Sequence, residues 1–266
     1  MKKIIILICH YNNLKGLKSS LLSINEDFPV DVLIVDDGSK TQPDLEELKS
    51  TYKNGEIFLK TLTKNQGVGI ATNIGYKKIL EWNYEFTGRL DCGDRVHPKK
   101  YATQIDYLKK HSETKLLGTW VNMIDMKGNS QFILKHPVSY KEIKKQLYLN
   151  STFVNSSVIF HTDILKVIGL FPEKYHRNGE DYAFFFNVSK KYKCENLPEI
   201  LLDYEINPNS LSTIGRREQI RARINIIKDH FYWGKYPIYG LIRSYGLLFT
   251  PRNSITVLKK IKERFF

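Results

Sequence analysis

The sequence predicts an α/β protein with a mostly parallel central sheet flanked by helices, followed by a basic, mainly helical C-terminal extension. Three observations carry this reading. Continuous apolar runs at Ile4–Cys9 and Val32–Val35 are those of strands covered on both faces. Strand and helix patterns alternate four times before Asp94, the signature of right-handed parallel crossovers. Finally, these strands are followed by polar residues, which such a fold gathers along one edge of the sheet.

The elements follow in order. The first strand runs into His10-Tyr11-Asn12-Asn13, and a helix spans Leu14 to Ile24. Val32–Val35 ends in Asp36-Asp37-Gly38-Ser39, and Pro43 suits the first turn of a helix reaching Tyr52. Ile57–Leu62 is the third strand. The glycine-rich stretch from Asn65 through Gly67 and Gly69 to Gly75 opens a helix ending near Trp82. Phe86–Leu90 delivers Arg89-Leu90-Asp91-Cys92-Gly93-Asp94, in which Gly93 permits a sharp turn. Beyond it the patterns predict a helix over Pro98–His111, a strand over Leu116–Met126 and a basic amphipathic helix over Tyr140–Leu149. A strand over Phe153–Phe160, a short helix over Thr162–Ile168, a helix opened by Glu180-Asp181 and a late strand over Ile200–Ile206 complete the series.

Composition bounds the function. Across 266 residues, 42% are hydrophobic and 12% aromatic, ample for a core. Cys9, Cys92 and Cys194 are odd in number and lack C-x-x-C spacing, which argues against a disulfide framework or a zinc site and fits a reducing compartment. The apolar N-terminal run is short for a signal peptide, and no stretch approaches the roughly 18 apolar residues of a membrane span. The net charge is +13, and 12 Lys and Arg against 3 Asp and Glu between Ile214 and Phe266 place +9 of it at the C-terminal end. This shift sets a boundary near Ser212 and predicts domains 1–212, with halves 1–97 and 98–212, and 213–266. No nucleic-acid motif accompanies the charge, so nucleic acid is not an expected partner.

The chemistry centres on Asp91 and Asp94. Oxygen-only ligands suit Mg²⁺ or Mn²⁺ shared with a substrate diphosphate. Each motif alone has a plain structural alternative. Asp36-Asp37-Gly38 makes a good turn, Asn65 could cap a helix, and Glu180-Asp181 would stabilise a helix start through the dipole. Taken together, His10–Asn13, Asp36–Ser39, Asn65–Gly75 and Asp91–Asp94 predict one crevice at the carboxyl edge of the sheet.

From Ile4 to about Ser212, the order of these motifs resembles the family 2 glycosyltransferases of GT-A fold. Asp36-Asp37-Gly38-Ser39 resembles the family's second-strand motif, whose aspartate reads the base of a nucleotide-sugar. Asn65-x-Gly67 through Asn73-x-Gly75 resembles its helix opening, with Thr72 replacing the usual arginine. Arg89-x-Asp91-x-Gly93-Asp94 resembles its metal motif, with Gly93 where many members carry a carboxylate. The resemblance therefore implies Asp94 as the direct metal ligand and Asp91 as a ribose or secondary contact. Glu180-Asp181 resembles the element whose aspartate acts as base, which implies Asp181 as catalytic base, with Glu180 an acceptor or supporting contact. Asn187 and Glu205 stand where arginines are common. Donor contacts are implied for Tyr11, Asp36, Asp37, Asn65, Gly67, Asn73, Arg89 and Asp91.

The implied reaction is inverting transfer of a sugar from a UDP-linked or dTDP-linked donor to a glycan or lipid-linked glycan, in surface polysaccharide synthesis. A cation neutralises the leaving diphosphate and one base activates the acceptor hydroxyl. The alternatives are an inactive sugar-nucleotide-binding relative or a nucleotidyltransferase. The latter, like an NAD-dependent dehydrogenase, would show a glycine-rich loop after the first strand, where His10-Tyr11-Asn12-Asn13 stands instead. The extension carries an apolar stripe of Ile220, Ile224 and Ile227 among arginines, an aromatic and aliphatic run over Ile238–Phe249 too short to span a membrane, and a further stripe over Ser254–Phe266. Such stripes suit a helix lying on an anionic membrane, with packing on the catalytic domain or on a second subunit as the alternative, so the expected location is the inner face of the plasma membrane, with a homodimer as a further assembly.

Overall fold

The computed structural model describes residues 2–175, 178–207 and 215–250. Strands β1 (Lys2–His10), β2 (Asp31–Asp36) and β3 (Ile57–Thr61) are joined by helices α1 (Leu14–Ser23) and α2 (Leu45–Thr51). Helix α3 (Val68–Trp82) then returns the chain to β4 (Tyr84–Arg89). β1 pairs in parallel with both β2 and β4, and β2 pairs with β3. The order β3-β2-β1-β4 therefore reverses direction between β1 and β4. That reversal opens a crevice at the carboxyl ends of the strands, and it is where open α/β sheets bind ligands.

The second half extends the same sheet. It comprises β5 (Arg95–Val96), α4 (Lys100–Lys110), β6 (Thr114–Ile124), β7 (Ser130–Leu134), α5 (Tyr140–Gln146), β8 (Ile159–His161), α6 (Ile164–Ile168), α7 (Glu180–Lys191) and β9 (Lys193–Glu205). β8 lies antiparallel between β4 and β6; β9 runs parallel to β6 and carries β5 on its far side. β7 forms a hairpin with β6. Helices α8 (Arg216–Asp229) and α9 (Lys235–Phe249) follow.

The apolar runs explain the layering. Ile4, Ile6, Ile8, Val32 and Ile34 point to one core, whereas Ile5, Leu7, Leu33 and Val35 point to the other. Alternating side chains on strands buried from both sides give this division. Helix α3 lies so close to β1 that a Cβ on Gly75 would stand 2.4 Å from Leu7 Cδ1. That spacing explains the glycine at this position.

Three expectations change. The strand expected over Phe153–Phe160 is mostly a 3₁₀ turn at Asn155–Ser157, leaving only Ile159–His161 in the sheet. The polar triplet Asn155-Ser156-Ser157 breaks the run because its side chains bond to Asp91, Asp94 and Val154 O rather than packing. The late strand begins at Lys193, well before Ile200, because β6 offers it a long parallel partner. Finally, the Ile220, Ile224 and Ile227 stripe is buried and is not available to lipid. Helix α8 instead packs on the main body, where Ala222 Cβ and Ile226 Cδ1 would lie 3.3 and 3.1 Å from a Cβ on Gly179. Arg216 is used structurally as well, donating to Leu247 O and Thr250 O at the end of α9. The boundary at Ser212 and the stripe over Ser254–Phe266 lie outside the described residues.

Candidate active site

At the end of β1, His10 Nε2 accepts the Asn13 N–H at 3.1 Å. Its proton therefore sits on Nδ1, 2.7 Å from Asp36 Oδ1. Asp36 also accepts from the Ser39 hydroxyl at 2.5 Å and from the Ser39 N–H at 3.2 Å, and it is fully buried. Asp37 accepts from Asn65 Nδ2 and from the Gln66 and Gly67 N–H groups at 2.8 to 2.9 Å. The two aspartates thus lock the β1, β2 and β3 loops into one wall, with Gly67 as the residue that starts α3. Tyr11 stands out from this wall, 49% exposed. Asn73 is turned elsewhere, clamping the Phe171 backbone through two 2.9 Å bonds.

Beyond β4, Asp91 and Asp94 differ in exposure and in partners. Asp94 is 4% exposed, and both its oxygens are occupied, by the Ser156 hydroxyl and by the Glu205 N–H at 3.0 Å. Burial, then the neighbouring Asp91 carboxylate, pushes its pKa up to about 8. The Asp91 side chain is 42% exposed. It accepts from Arg89 Nη2 at 3.0 Å and from Asn155 Nδ2 at 3.3 Å. Arg89, fully buried, also donates to Cys9 Sγ at 3.2 Å. Asp91 is thus the carboxylate that an incoming ion could reach, whereas Asp94 braces the loop.

Glu180 and Asp181 open α7 behind Gly179. Asp181 Oδ1 accepts the Tyr182 N–H at 2.7 Å. Burial, then Asp181, then Asp91 push Glu180 up to about 8, while Arg89 opposes. Asp181 is raised by burial and by Asp91, against the Tyr182 N–H and Arg89. The two carboxylates titrate as a pair. They feel the Arg89–Asp91 pair, so the structure joins these two motifs, ninety residues apart, in one field. Glu180 Oε2 is buried without a hydrogen-bond partner.

Sequence reasoning missed Ser20, Asn155, Ser156 and the position of Glu205. Ser20 Oγ accepts the Gly93 N–H at 3.0 Å and donates to Asp94 O at 2.7 Å. The signal for Asn155 and Ser156 was three polar residues inside an otherwise apolar run.

The site fits a divalent cation in part. Among the described residues no group of three or more His, Cys, Asp or Glu side chains is arranged to hold an ion. Mg²⁺ or Mn²⁺ held by one or two carboxylates and a substrate diphosphate needs none, and Asp91 offers reachable oxygens of the right hardness.

Comparison with known proteins gives a consistent picture. The model of "Glycosyl transferase family 2" matches residues 5–168. The chain is 29% identical to an uncharacterized glycosyltransferase of Methanocaldococcus jannaschii, across 94% of this chain and 90% of that one. It is 27% identical to the Escherichia coli UDP-Gal:alpha-D-GlcNAc-diphosphoundecaprenol beta-1,3-galactosyltransferase, across 84% and 80%. Among solved structures, S. aureus TarS 1-349 with UDP-GlcNAc superposes with a TM-score of 0.67 at 19% identity, covering 85% of this chain and 66% of that one. Against a longer TarS chain the share is 39% of that chain. The Pyrobaculum calidifontis mannosyltransferase PcManGT, with GDP-Man and Mn²⁺, gives a TM-score of 0.63 at 14% identity, covering 92% and 69%. The sheet order and these superpositions are those of the GT-A fold, and the chain belongs to glycosyl transferase family 2.

Proposed function

We propose that this chain is an inverting, metal-dependent glycosyltransferase that moves a sugar from a nucleoside diphosphate donor to a hydroxyl of a glycan or lipid-linked glycan. The observation that carries the reading is that the Glu180–Asp181 pair lies in the electrostatic field of Arg89–Asp91, the pair that follows β4 beside the strand switch point. One motif suits the diphosphate end of a donor and the other suits an acceptor hydroxyl.

In this scheme Mg²⁺ or Mn²⁺, when bound, neutralises charge growing on the departing diphosphate. Asp91 would hold the ion, and Arg89 and Asn155 orient its carboxylate. The wall built by Asp36, Asp37, Asn65 and Gly67, with Tyr11 at its mouth, positions the nucleoside, and Asn73 fixes the loop at Phe171. Asp94 holds the metal loop to β9. Asp181 takes the acceptor proton, and Glu180 stands beside it as support. One displacement with one base inverts the anomeric centre. The likeness to a lipid-linked galactosyltransferase and to a UDP-GlcNAc-bound fold supports a UDP-linked donor, with dTDP as the alternative base, and a surface-polysaccharide role.

The test is thermal protection by a panel of UDP-linked, dTDP-linked and GDP-linked sugars with Mn²⁺ or EDTA. At ligand concentrations of 100 times Kd, binding stabilises by about 2.7 kcal/mol. We expect protection by one nucleotide class in Mn²⁺ that is lost in EDTA. Protection by none of them would reject the reading.

Attachment to the inner face of the membrane is part of the same proposal, now resting on α9 and the turn before it. Trp233 is 89% exposed, Phe249 85%, Ile242 65% and Tyr239 57%. At the start of α9 a cleft of about 630 Å³ is lined by Lys141, Lys144, Lys145, Lys190, Tyr232 and Tyr236, among other residues. Aromatic side chains beside a lysine cluster suit an anionic interface. Among the described residues no helix is long and apolar enough to cross a membrane. Removing everything after Ser212 would strip α8 from the core, so the informative variant is Trp233→Ser with Phe249→Ser. We expect sedimentation with anionic vesicles, weakened by salt and several-fold weaker in the double variant. Equal binding to neutral vesicles would contradict the proposal.

A further inference from the structure

The cleft at the start of α9 is built where three helices meet. Tyr140 and Lys144 come from α5, Phe186 and Lys190 from α7, and Tyr232 from the turn before α9. Of the ten residues that line it, four are lysines, four are tyrosines and none is acidic. At about 630 Å³ it has the size of a small-molecule site. Its walls are tied together before any ligand arrives. The Tyr140 hydroxyl donates to Ser189 O at 2.7 Å, the Tyr148 hydroxyl to His230 O at 2.9 Å and Arg243 Nη1 to Leu149 O at 2.7 Å. The Tyr148 ring packs edge-on against Phe186 and Tyr232, at 5.1 and 5.6 Å between centroids. Glu142 neutralises Lys145, which leaves the exposed Lys141, Lys144 and Lys190 to set the charge of the cleft. His230, stacked on Phe186 at 4.6 Å, registers that charge, because burial and then Lys190 push it down to about 4.

We propose that this cleft binds the phosphate headgroup of a membrane lipid, with Lys141, Lys144 and Lys190 around the phosphate and the tyrosine walls against the rest of the headgroup. Charge complementarity names the phosphate, since three lysines on one cleft suit a dianionic monoester better than a singly charged diester. The neighbouring turn names a lipid as its carrier. Tyr232 lines the cleft, while Phe231 and Trp233 on either side of it are 36% and 89% exposed and pack edge-on at 5.4 Å. Aromatic rings of this kind settle at the headgroup level of a bilayer, where the cleft would then open. Lys144 and Lys190 also stand in the last turns of α5 and α7, where they complement the helix dipoles. That role alone needs no shared cleft. The inference rests on the membrane attachment proposed above and adds its ligand, a site that saturates in place of diffuse attraction.

The experiment is sedimentation of the full chain with phosphatidylcholine vesicles that carry phosphatidic acid, a monoester, or phosphatidylglycerol, a diester, at matched surface charge. Glycerol 3-phosphate, titrated calorimetrically, is the soluble probe. Wild type is expected to prefer phosphatidic acid by about tenfold, and the triple variant Lys141→Ala, Lys144→Ala, Lys190→Ala to lose that preference. A control with Lys53→Ala, Lys109→Ala and Lys110→Ala, which removes as many exposed lysines elsewhere, is expected to keep it. Trp233→Ser with Phe249→Ser is expected to weaken binding to both lipids alike and to keep it too. Melting curves check folding, and Lys144→Glu alone should reproduce most of the loss if the triple variant does not fold; an unchanged preference in both would overturn the site. Equal binding of wild type to the two lipids, or equal losses in the triple variant and the control, would make the attraction diffuse and overturn the site while leaving attachment intact. Glycerol 3-phosphate binding as tightly as phosphatidic acid would give the cleft to a soluble ligand and overturn the lipid. Binding to neither anionic vesicle would overturn the attachment reading along with it.

Discussion

Asp181→Asn lowers kcat by about 10²–10⁴-fold, the usual scale for a lost general base, while donor affinity stays close to wild type. The amide nearly matches the carboxylate in shape and can still accept the Tyr182 N–H that now bonds Oδ1. What it loses is the capacity to take a proton. Steady-state kinetics with the titrated Kd separates the two effects. A variant that keeps its rate would shift the role to Glu180, whose Oε2 is buried without a partner. The pH profile supplies a second readout. Burial and Asp91 raise both members of the Glu180–Asp181 pair, Glu180 to about 8. A base works only when deprotonated and Asp181 is raised, so the rate should fall as pH drops and its acid limb should lie above the ordinary carboxylate range.

Asp91→Ala should be as damaging, but at a different step. Removing the reachable carboxylate takes away the ion's anchor and leaves Arg89 without its partner, 3.0 Å away. We expect kcat/KM to fall by about 10²–10³-fold, the scale of losing one stabiliser of transition-state charge, with Mn²⁺ no longer improving donor binding. Excess EDTA should do the same to wild type and add little to Asp91→Ala. Asp94→Ala should look different. Its carboxyl group joins Ser156 to the Glu205 backbone, so the loss should appear as a lower melting temperature, on the order of 1–3 kcal/mol of stability. The family pattern alone puts Asp94 ahead of Asp91 as metal ligand. The burial of Asp94 is the reason we exchange their roles.

Much of this was legible in the sequence because the first half obeys simple periodicities. Ile4–Cys9 and Val32–Val35 read as doubly buried strands, and they are. The polar strand ends do meet at the edge between β1 and β4. The second half was harder, for physical reasons. Phe153–Phe160 is apolar at its ends, but the bonds that Asn155 and Ser156 make to Asp91 and Asp94 come from more than sixty residues away, and no local pattern encodes them. Helix α8 shows an amphipathic stripe that would suit either lipid or protein. Only the close approach at Gly179 assigns it to the core. Asp36 and Asp37 could be recognised as site residues, but that they are held by His10, Ser39 and the Asn65–Gly67 turn depends on three loops meeting.

The central claim is turnover of a nucleoside diphosphate sugar by the carboxylates gathered at this edge. The most direct measurement follows nucleoside diphosphate release and the anomeric NMR signal of the product, using the nucleotide-sugar that protects the protein and a GlcNAc-diphospho-lipid acceptor analogue with Mn²⁺. The account predicts a β-linked product from an α-linked donor, abolished by EDTA and reduced by about 10²–10⁴-fold in Asp181→Asn. Undiminished turnover in EDTA, or an α-linked product from that donor, would contradict it.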